Sequence, residues 1–288
     1  VYEKKLSSLH VDHPDVIEFV TASRADLPWI KRCVNLTTHK WGKATPEVKA
    51  AVLAAIARGD VWLNKSKVDN DGNRIYGNVC LEVYLPSRGT CLLQHVNLGS
   101  CDIEDIETSF VTGMSELCSL HSKTGVGGSG EYLSPEVDRQ VGLGMLGLAN
   151  LLARHGVTYE AFGEALEDLR GNEPYERTGA HVLATKLQRG IEAAAEVARY
   201  SGMVRAFAIA PTASCSYRYT DALGFTTTPE IAPPISRQVD RDSATFGVQS
   251  FDYGNVEIAS EVGWHNYKRV ADGVIRLLDK TGLFHGYS

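Results

Sequence analysis

The run Ala206-Phe207-Ala208-Ile209-Ala210 is apolar throughout, and Pro211 follows it directly. An unbroken apolar run of this length is typical of a strand that is buried on both faces in a parallel sheet. Proline has no N–H to donate to a neighbouring strand, so the strand should end there. The sequence therefore predicts a buried strand over 206–210 that leads into a polar loop.

Segments with helical spacing lie on both sides of this strand and alternate with other short apolar runs. Thr45-Pro46 supplies the cap and the first-turn proline of a helix that should end near Gly59. This alternation favours an α/β fold with a largely parallel sheet. The other predicted helices cover 102–122, 134–152, 159–170, 176–202 and 263–282, and the other predicted strands cover 60–63 and 78–85.

The composition is that of an ordinary folded protein, with 288 residues, 43% of them hydrophobic and 22% charged. The net charge of -6 and the pI near 5.9 argue against a nucleic-acid partner, which would require a basic face. No apolar run approaches the ~18 residues of a membrane span, and the N-terminus has no signal segment. The composition therefore predicts a cytoplasmic protein with neither nucleic acid nor membrane as a partner.

Six cysteines are too few and too widely spaced for the disulfide framework of a secreted protein, and no CxxC pair suggests zinc. Two of them stand out, because the run Asn78-Val79-Cys80-Leu81-Glu82 is followed by Cys91. In an extended segment Asn78, Cys80 and Glu82 would share one face. That face would combine a positioning amide, a reactive thiol and a carboxylate base.

Three other patterns resemble binding sites, and only the first of them is retained as a candidate. Pro211-Thr212-Ala213-Ser214-Cys215-Ser216 offers hydroxyls and backbone N–H groups to a phosphate, although an ordinary polar loop would look the same. Residues 125–130 match GxGxxG, but they follow a helical pattern and do not predict a dinucleotide site. His10 and His13 lie in a predicted turn, so no metal is expected there. The Gly- and Pro-rich stretches 125–135 and 224–234 are predicted to be surface connections.

The motif at 78–82 with its downstream cysteine resembles the active-site signature of the ribonucleotide reductase catalytic subunit, and the resemblance covers nearly all of residues 8–285. It implies part of a ten-stranded α/β barrel with a central cysteine loop, forming a single catalytic barrel domain over 1–288 that is truncated at both ends. One departure is Thr228-Pro229-Glu230-Ile231-Ala232-Pro233, where many relatives have Asn-Gly-Ile-Glu-Pro. The segments that carry the likeness are 10–19, 58–64, the predicted helix around 139–149, and 209–216.

The resemblance also implies roles for individual residues. Cys80 would become a thiyl radical and remove the 3′ hydrogen of a ribonucleotide, Glu82 would take the 3′ hydroxyl proton, and Asn78 would hold that hydroxyl. Cys91 would be one of two thiols that reduce the 2′ position. Its partner is expected upstream of Val1, so the 288 residues alone are expected to be inactive. The substrate-phosphate contacts would be Thr212, Ala213, Ser214 and Ser216.

Members of this family generate the radical with adenosylcobalamin or with a separate metal-containing small subunit. The short spacing from Cys80 to Cys91 favours the cobalamin-dependent class, although Val79 stands where that class usually has proline. A thioredoxin- or glutaredoxin-type reductant and a homodimer are further implied partners. Two other functions stay open: a nucleotide-binding remnant without radical chemistry, and a thiol-disulfide oxidoreductase that uses Cys80 and Cys91 as its pair.

Overall fold

The computed structural model describes residues 5–26, 28, 30–69, 71–124, 130–170, 178–243 and 247–288. The chain divides into two compact units, one up to Gly89 and one from Thr90 onward. Each unit contains a parallel sheet, which confirms an α/β fold. The ten-stranded barrel and the single catalytic domain over 1–288 stay predictions.

The first unit is built on a three-stranded parallel sheet in the order β1-β2-β3, with a small antiparallel sheet β4-β5-β6 after it. Valines dominate the buried core between the parallel sheet and its helices, including Val20, Val34 and Val52 at 0% exposure. The elements are β1 (Lys5–His10), α1 (Val16–Thr21), β2 (Ile30–Leu36), α2 (Thr38–Lys43), α3 (Pro46–Ala57), β3 (Val61–Lys65), β4 (Lys67–Val68), β5 (Arg74–Gly77) and β6 (Tyr84–Leu85).

The helix predicted from Thr45 is confirmed as α3. The Thr45 hydroxyl accepts a hydrogen bond from the Val48 N–H at 3.4 Å, and Pro46 occupies the first turn, where its missing N–H has no cost. The helix ends at Ala57, and β3 begins four residues later at Val61. The signals that predict this helix and the following strand come from neighbouring residues in the sequence. They therefore do not depend on tertiary contacts.

The second unit is built on a four-stranded parallel sheet in the order β12-β9-β8-β7, covered by long helices. The predicted strand at 206–210 is its central strand β9, with Ala206 to Ile209 all at 0% exposure. The elements are β7 (Leu93–Asn97), α4 (Ile106–His121) after a 3₁₀ turn, β8 (Gln140–Leu146), α5 (Leu148–Arg154), α6 (Tyr159–Asp168), α7 (Gly179–Tyr200), β9 (Arg205–Ile209), α8 (Ala213–Ser216), β10 (Gln238–Ser243), β11 (Gly247–Asp252), α9 (Ala259–Lys280) and β12 (Phe284–Tyr287).

The predicted helix over 134–152 is wrong for its middle, which is the fully buried strand β8, and right only at its end, where α5 begins at Leu148. Two glycines allow β8 to lie close to its neighbours. A Cβ on Gly142 would lie 2.4 Å from Leu93 Cδ2, and a Cβ on Gly144 would lie 2.4 Å from the Ala208 carbonyl oxygen. A segment that is buried on all sides has no amphipathic period, so its sequence does not separate helix from strand.

The segment 224–234 is not the surface connection that was predicted. Thr227, Thr228 and Ile231 are each at 0% exposure, and the Thr228 carbonyl accepts the Gly147 N–H at 2.8 Å. From Thr227 onward the segment is therefore packed into the second unit, whereas Gly224 and Phe225 at its start are exposed. Across the described ranges, every helix is too short or too polar to cross a bilayer.

Candidate active site

Residues 78–83 form a tight turn between β5 and β6. The Leu81 N–H donates to the Asn78 carbonyl at 3.0 Å, the Asn78 N–H donates to the Val83 carbonyl at 2.9 Å, and Leu81 has a φ of 71°. The prediction of an extended strand over 78–85 is therefore wrong for 78–83 and right only for β6. The turn nevertheless brings the two polar residues of the motif together.

Asn78 and Glu82 are joined directly, since the Asn78 amide donates to Glu82 Oε1 at 2.9 Å. The Val83 N–H donates in turn to Asn78 Oδ1 at 3.2 Å, which fixes the orientation of the amide. Glu82 is at 0% exposure, and its second oxygen, Oε2, has no partner within the described part of the chain. Burial raises the pKa of Glu82, while Asn78 and the nearby Lys31 oppose that rise. A buried carboxyl with one unoccupied oxygen is suited to accept a proton from a bound hydroxyl.

Cys80 lies at the middle of the same turn and is half-buried. It lines a cavity of about 300 Å³ together with Lys31 and Trp62. The Lys31 ammonium lies 3.8 Å from the centroid of the Trp62 ring, and burial lowers the pKa of Lys31. Neither residue was singled out from the sequence, because they reach Cys80 through the pairing of β2 with β3 and carry no local motif.

We expect Glu82→Gln to remove the titration of this buried carboxyl, because an amide cannot take a proton. The same change should stabilise the fold above pH 4.5. A raised carboxyl pKa favours folding at low pH, and that contribution is lost as the pH rises from 4.5 through the folded pKa. Thermal unfolding of variant and wild type at pH 4 and pH 8 measures this.

Glu82→Gln should have a higher melting temperature than wild type at pH 8 and the same melting temperature at pH 4. Glu47→Gln is the matched control, since Glu47 is exposed and its pKa is lowered by hydrogen bonds at the start of α3. It should show no gain at pH 8. A Glu82→Gln variant less stable than wild type at pH 8 would contradict the argument.

The cysteine turn is anchored to the parallel sheet by a buried polar chain. The Tyr84 hydroxyl donates to Asn64 Oδ1 at 2.8 Å, and the Asn64 amide donates to Asn35 Oδ1 at 2.9 Å. The three residues are 7%, 7% and 3% exposed, in that order, and belong to β6, β3 and β2. Each link satisfies a buried group that would otherwise be costly. The chain of hydrogen bonds therefore fixes where the turn lies on the sheet.

We expect Tyr84→Phe to lower the free energy of unfolding by about 1–2 kcal/mol, because Asn64 Oδ1 loses its donor in a buried place. Urea unfolding measures the change. The matched control is Tyr76→Phe on the adjacent strand, where the side chain is 46% exposed. The control should change stability by less than about 0.5 kcal/mol. Equal effects of the two changes would show that the hydroxyl of Tyr84 does not hold the turn.

Cys91 is exposed and precedes β7 at the start of the second unit. The preceding residue is held firmly, since the Thr90 N–H donates to Asp138 Oδ2 at 2.6 Å. Asp138 is 3% exposed and also accepts from the Gln140 amide at 2.5 Å. No disulfide links any of the six cysteines, all of which lie in the described ranges. Cys33 and Cys118 are buried, where a cysteine behaves as a small hydrophobic core residue.

The predicted phosphate loop follows β9, and it contains a strained residue. Thr212 has a φ of 50°, and its hydroxyl accepts the N–H of Glu230, whose φ is 42°, at 2.9 Å. Ser214 is exposed, whereas Ser216 is fully buried and donates its hydroxyl to the Ala213 carbonyl at 2.9 Å. Of the four predicted phosphate contacts, Thr212, Ala213 and Ser214 are therefore accessible, whereas Ser216 is not.

Glu230 is a titratable group that sequence reasoning missed, because 224–234 was predicted to lie on the surface. Burial raises its pKa to about 7, and Tyr287 opposes that rise through a hydrogen bond. The Tyr287 and Tyr267 hydroxyls lie 2.5 Å apart. The loop at Thr212 is thus backed by a carboxyl and two phenols from α9 and β12.

The two remaining sequence patterns are the GxGxxG match and the His10–His13 pair. Residues 125–129 of the GxGxxG match lie outside the described residues. In the ranges that the structure describes, no cluster of three or more His, Cys, Asp or Glu residues is placed to hold a metal ion.

The comparisons with known proteins point to one family. Two curated proteins, both vitamin B12-dependent ribonucleoside-diphosphate reductases from strains CDC 1551 / Oshkosh and H37Rv of Mycobacterium tuberculosis, are each 29% identical to this chain over 240 residues. The match covers 67% of this chain and about a third of those proteins, 31% and 30% of their lengths. No family model matches the chain.

A solved structure gives the same indication for the fold. The class Id ribonucleotide reductase alpha subunit of Actinobacillus ureae matches with a TM-score of 0.56 over 81% of this chain and 50% of that chain. The sequence identity is 18%, so this likeness shows the fold alone. The resemblance to the catalytic subunit that the sequence motifs indicated is therefore confirmed by sequence relatives and by a structural neighbour.

Proposed function

We propose that this chain, a relative of ribonucleotide reductase catalytic subunits in sequence and fold, carries the radical thiol centre that reduces ribonucleoside diphosphates to 2′-deoxyribonucleotides. The observation that carries the proposal is the Asn78–Glu82 hydrogen bond of 2.9 Å on the turn that presents Cys80. An amide, a thiol and a buried carboxyl with a vacant oxygen are the groups that this chemistry requires.

In the proposed reaction, the Cys80 thiyl takes the 3′ hydrogen atom while Glu82 accepts the proton of the 3′ hydroxyl that Asn78 orients. The 2′ hydroxyl leaves as water. Two thiols, Cys91 and one from outside the chain, supply two electrons and become a disulfide. Cys80 then returns the hydrogen atom to C3′, so the radical is regenerated and the overall change is one ribonucleotide and two thiols to one deoxyribonucleotide, one disulfide and water.

Adenosylcobalamin is the proposed radical source, because the curated relatives are vitamin B12-dependent. Cys80 is half-buried and lines a cavity together with the partly exposed Trp62. A radical-generating cofactor could therefore reach the Cys80 thiol from outside the protein. The cofactor would supply the one-electron oxidation of the Cys80 thiol. A separate metal-containing subunit is the alternative source.

The loop at Thr212 is the proposed site for the substrate phosphates. The first N–H groups of a helix have no partner within the helix and can donate to a phosphate. Ser214 is the second residue of α8 and is exposed, so its hydroxyl is available at this end of the helix. A thioredoxin- or glutaredoxin-type protein would reduce the disulfide after each turnover, and a homodimer is the proposed assembly. The cytoplasm is the proposed location.

The test is to assay the longest natural polypeptide that carries these 288 residues, with a ribonucleoside diphosphate and a dithiol, with and without adenosylcobalamin. Formation of deoxynucleotide only with adenosylcobalamin is the expected result. If deoxynucleotide forms only when a metal-loaded subunit is added, that subunit is the radical source. Exchange of disulfides without any change in the nucleotide would replace the proposal by the thiol-disulfide oxidoreductase alternative.

A further inference from the structure

The cavity beside Cys80 carries more positive charge than the reaction of a thiol requires. Three cationic residues line it: Arg24, Lys31 and Arg32. The only carboxylate among the described lining residues is Asp60, and its Oδ2 already accepts from Arg58 Nε at 2.9 Å. The walls of this cavity are therefore cationic in excess.

Arg32 is the most informative of the three, because it is only 2% exposed. Its Nη1 donates to the Phe19 carbonyl at 2.8 Å and to the Ala22 carbonyl at 2.7 Å. Its Nη2 is also buried but has no partner within the described ranges. A buried guanidinium with a vacant donor is costly unless a further acceptor completes it, and a bound anion supplies such acceptors.

The remaining walls suit an oxyanion. The Lys31 ammonium is held over the Trp62 ring at 3.8 Å, which orients a cation without neutralising it. The Arg24 side chain is exposed at the mouth of the cavity. A volume of about 300 Å³ is enough for a phosphate group with its bound water and lies at the lower end of ordinary ligand sites.

We propose that the cavity lined by Arg24, Lys31, Arg32 and Cys80 is an anion-binding site that takes a phosphate group next to the Cys80 thiol. Arginine and lysine together provide the fork and the point charge that phosphate recognition commonly combines. The site lies wholly within the first unit, whereas the loop at Thr212 belongs to the second. This proposal does not depend on the proposed function.

The experiment measures alkylation of Cys80 by iodoacetamide in the 288-residue chain, with the Cys80 and Cys91 peptides quantified by mass spectrometry. Saturating inorganic phosphate should slow alkylation of Cys80 at least threefold relative to chloride at the same ionic strength. Alkylation of Cys91, which is exposed and lies in the other unit, should not change. A nucleoside diphosphate is tested in parallel.

The protection should be lost in Lys31→Gln and Arg24→Gln and kept in Lys65→Gln, which removes an exposed cation from β3 outside the cavity. Arg32 is left intact, because it also holds the Phe19 and Ala22 carbonyls. Protection by both ligands assigns the site to phosphate as such, and protection by the nucleoside diphosphate alone assigns it to a nucleotide. Failure of both to protect, equal protection by chloride, or full protection in Lys31→Gln would overturn the proposal.

Failure here and failure of the proposed reduction are distinguishable, since alkylation is measured without turnover. If the protein reduces nucleotides but phosphate does not slow alkylation of Cys80, the anion site is wrong and the proposed reaction stands. If phosphate slows alkylation of Cys80 but no nucleotide is reduced, the anion site stands and the proposed reaction is wrong.

Discussion

In the longest natural polypeptide that carries these 288 residues, Cys80→Ser is expected to abolish ribonucleotide reduction, with turnover lowered at least 10³-fold, equivalent to about 4 kcal/mol of lost transition-state stabilisation. A serine hydroxyl holds its hydrogen atom much more strongly than a thiol does and cannot take over a radical step. The fold should survive, because Cys80 is only half-buried and lies on a turn whose hydrogen bonds run through the backbone of Asn78, Leu81 and Val83.

The measurement is deoxynucleotide formation and free-base release, both followed by chromatography, with circular dichroism to establish that the fold is retained. Cys101→Ser is the matched control, because it replaces another half-buried thiol, one that lies outside the cysteine turn and the proposed phosphate loop and has no proposed redox role. It should keep turnover within about twofold of wild type. A Cys80→Ser variant with more than a tenth of wild-type activity would exclude Cys80 as the radical residue.

Cys91→Ser is expected to separate the two halves of the reaction. The Cys80 radical can still form and attack the substrate, but the 2′ position cannot be reduced without the second electron donor. Deoxynucleotide formation should fall at least about 100-fold, whereas the substrate still decays and releases its base. Because Cys91 is exposed, the substitution should leave the free energy of unfolding within about 0.5 kcal/mol of wild type.

The double variant Cys80→Ser/Cys91→Ser distinguishes this from general damage. Base release should disappear when both thiols are replaced, because decay depends on the radical at Cys80. If Cys91→Ser and Cys80→Ser show the same mild loss of both products, the two thiols have equivalent roles and the thiol-disulfide oxidoreductase alternative gains support.

Local sequence signals predicted those parts of the molecule that depend on local interactions. The cap at Thr45 and the apolar strand ending before Pro211 are examples, and the structure confirms both as α3 and β9. The proximity of Asn78 to Glu82 was also predicted, but from an extended segment that the structure does not contain. A tight turn with Leu81 at φ 71° joins them, and no propensity favours that conformation for leucine.

Features that depend on distant parts of the chain were not predictable. Strand β8 was taken for a helix because a completely buried segment has no polar face to reveal its period. Lys31 and Trp62 meet only because β2 and β3 pair in parallel, with Cys33 opposite Trp62. Glu230 was missed because a Pro-rich stretch normally lies on the surface, whereas here its neighbours Thr227 and Ile231 are at 0% exposure.

The hydrogen bond between Thr212 and Glu230 has a consequence for ligand affinity. Each of these residues has a left-handed backbone, at a cost of order 1–3 kcal/mol, which the rest of the second unit offsets when the chain folds. The loop is consequently preorganised: its conformational entropy is lost during folding rather than during binding. A phosphate that docks there would retain most of its intrinsic binding free energy, because it has no loop to order.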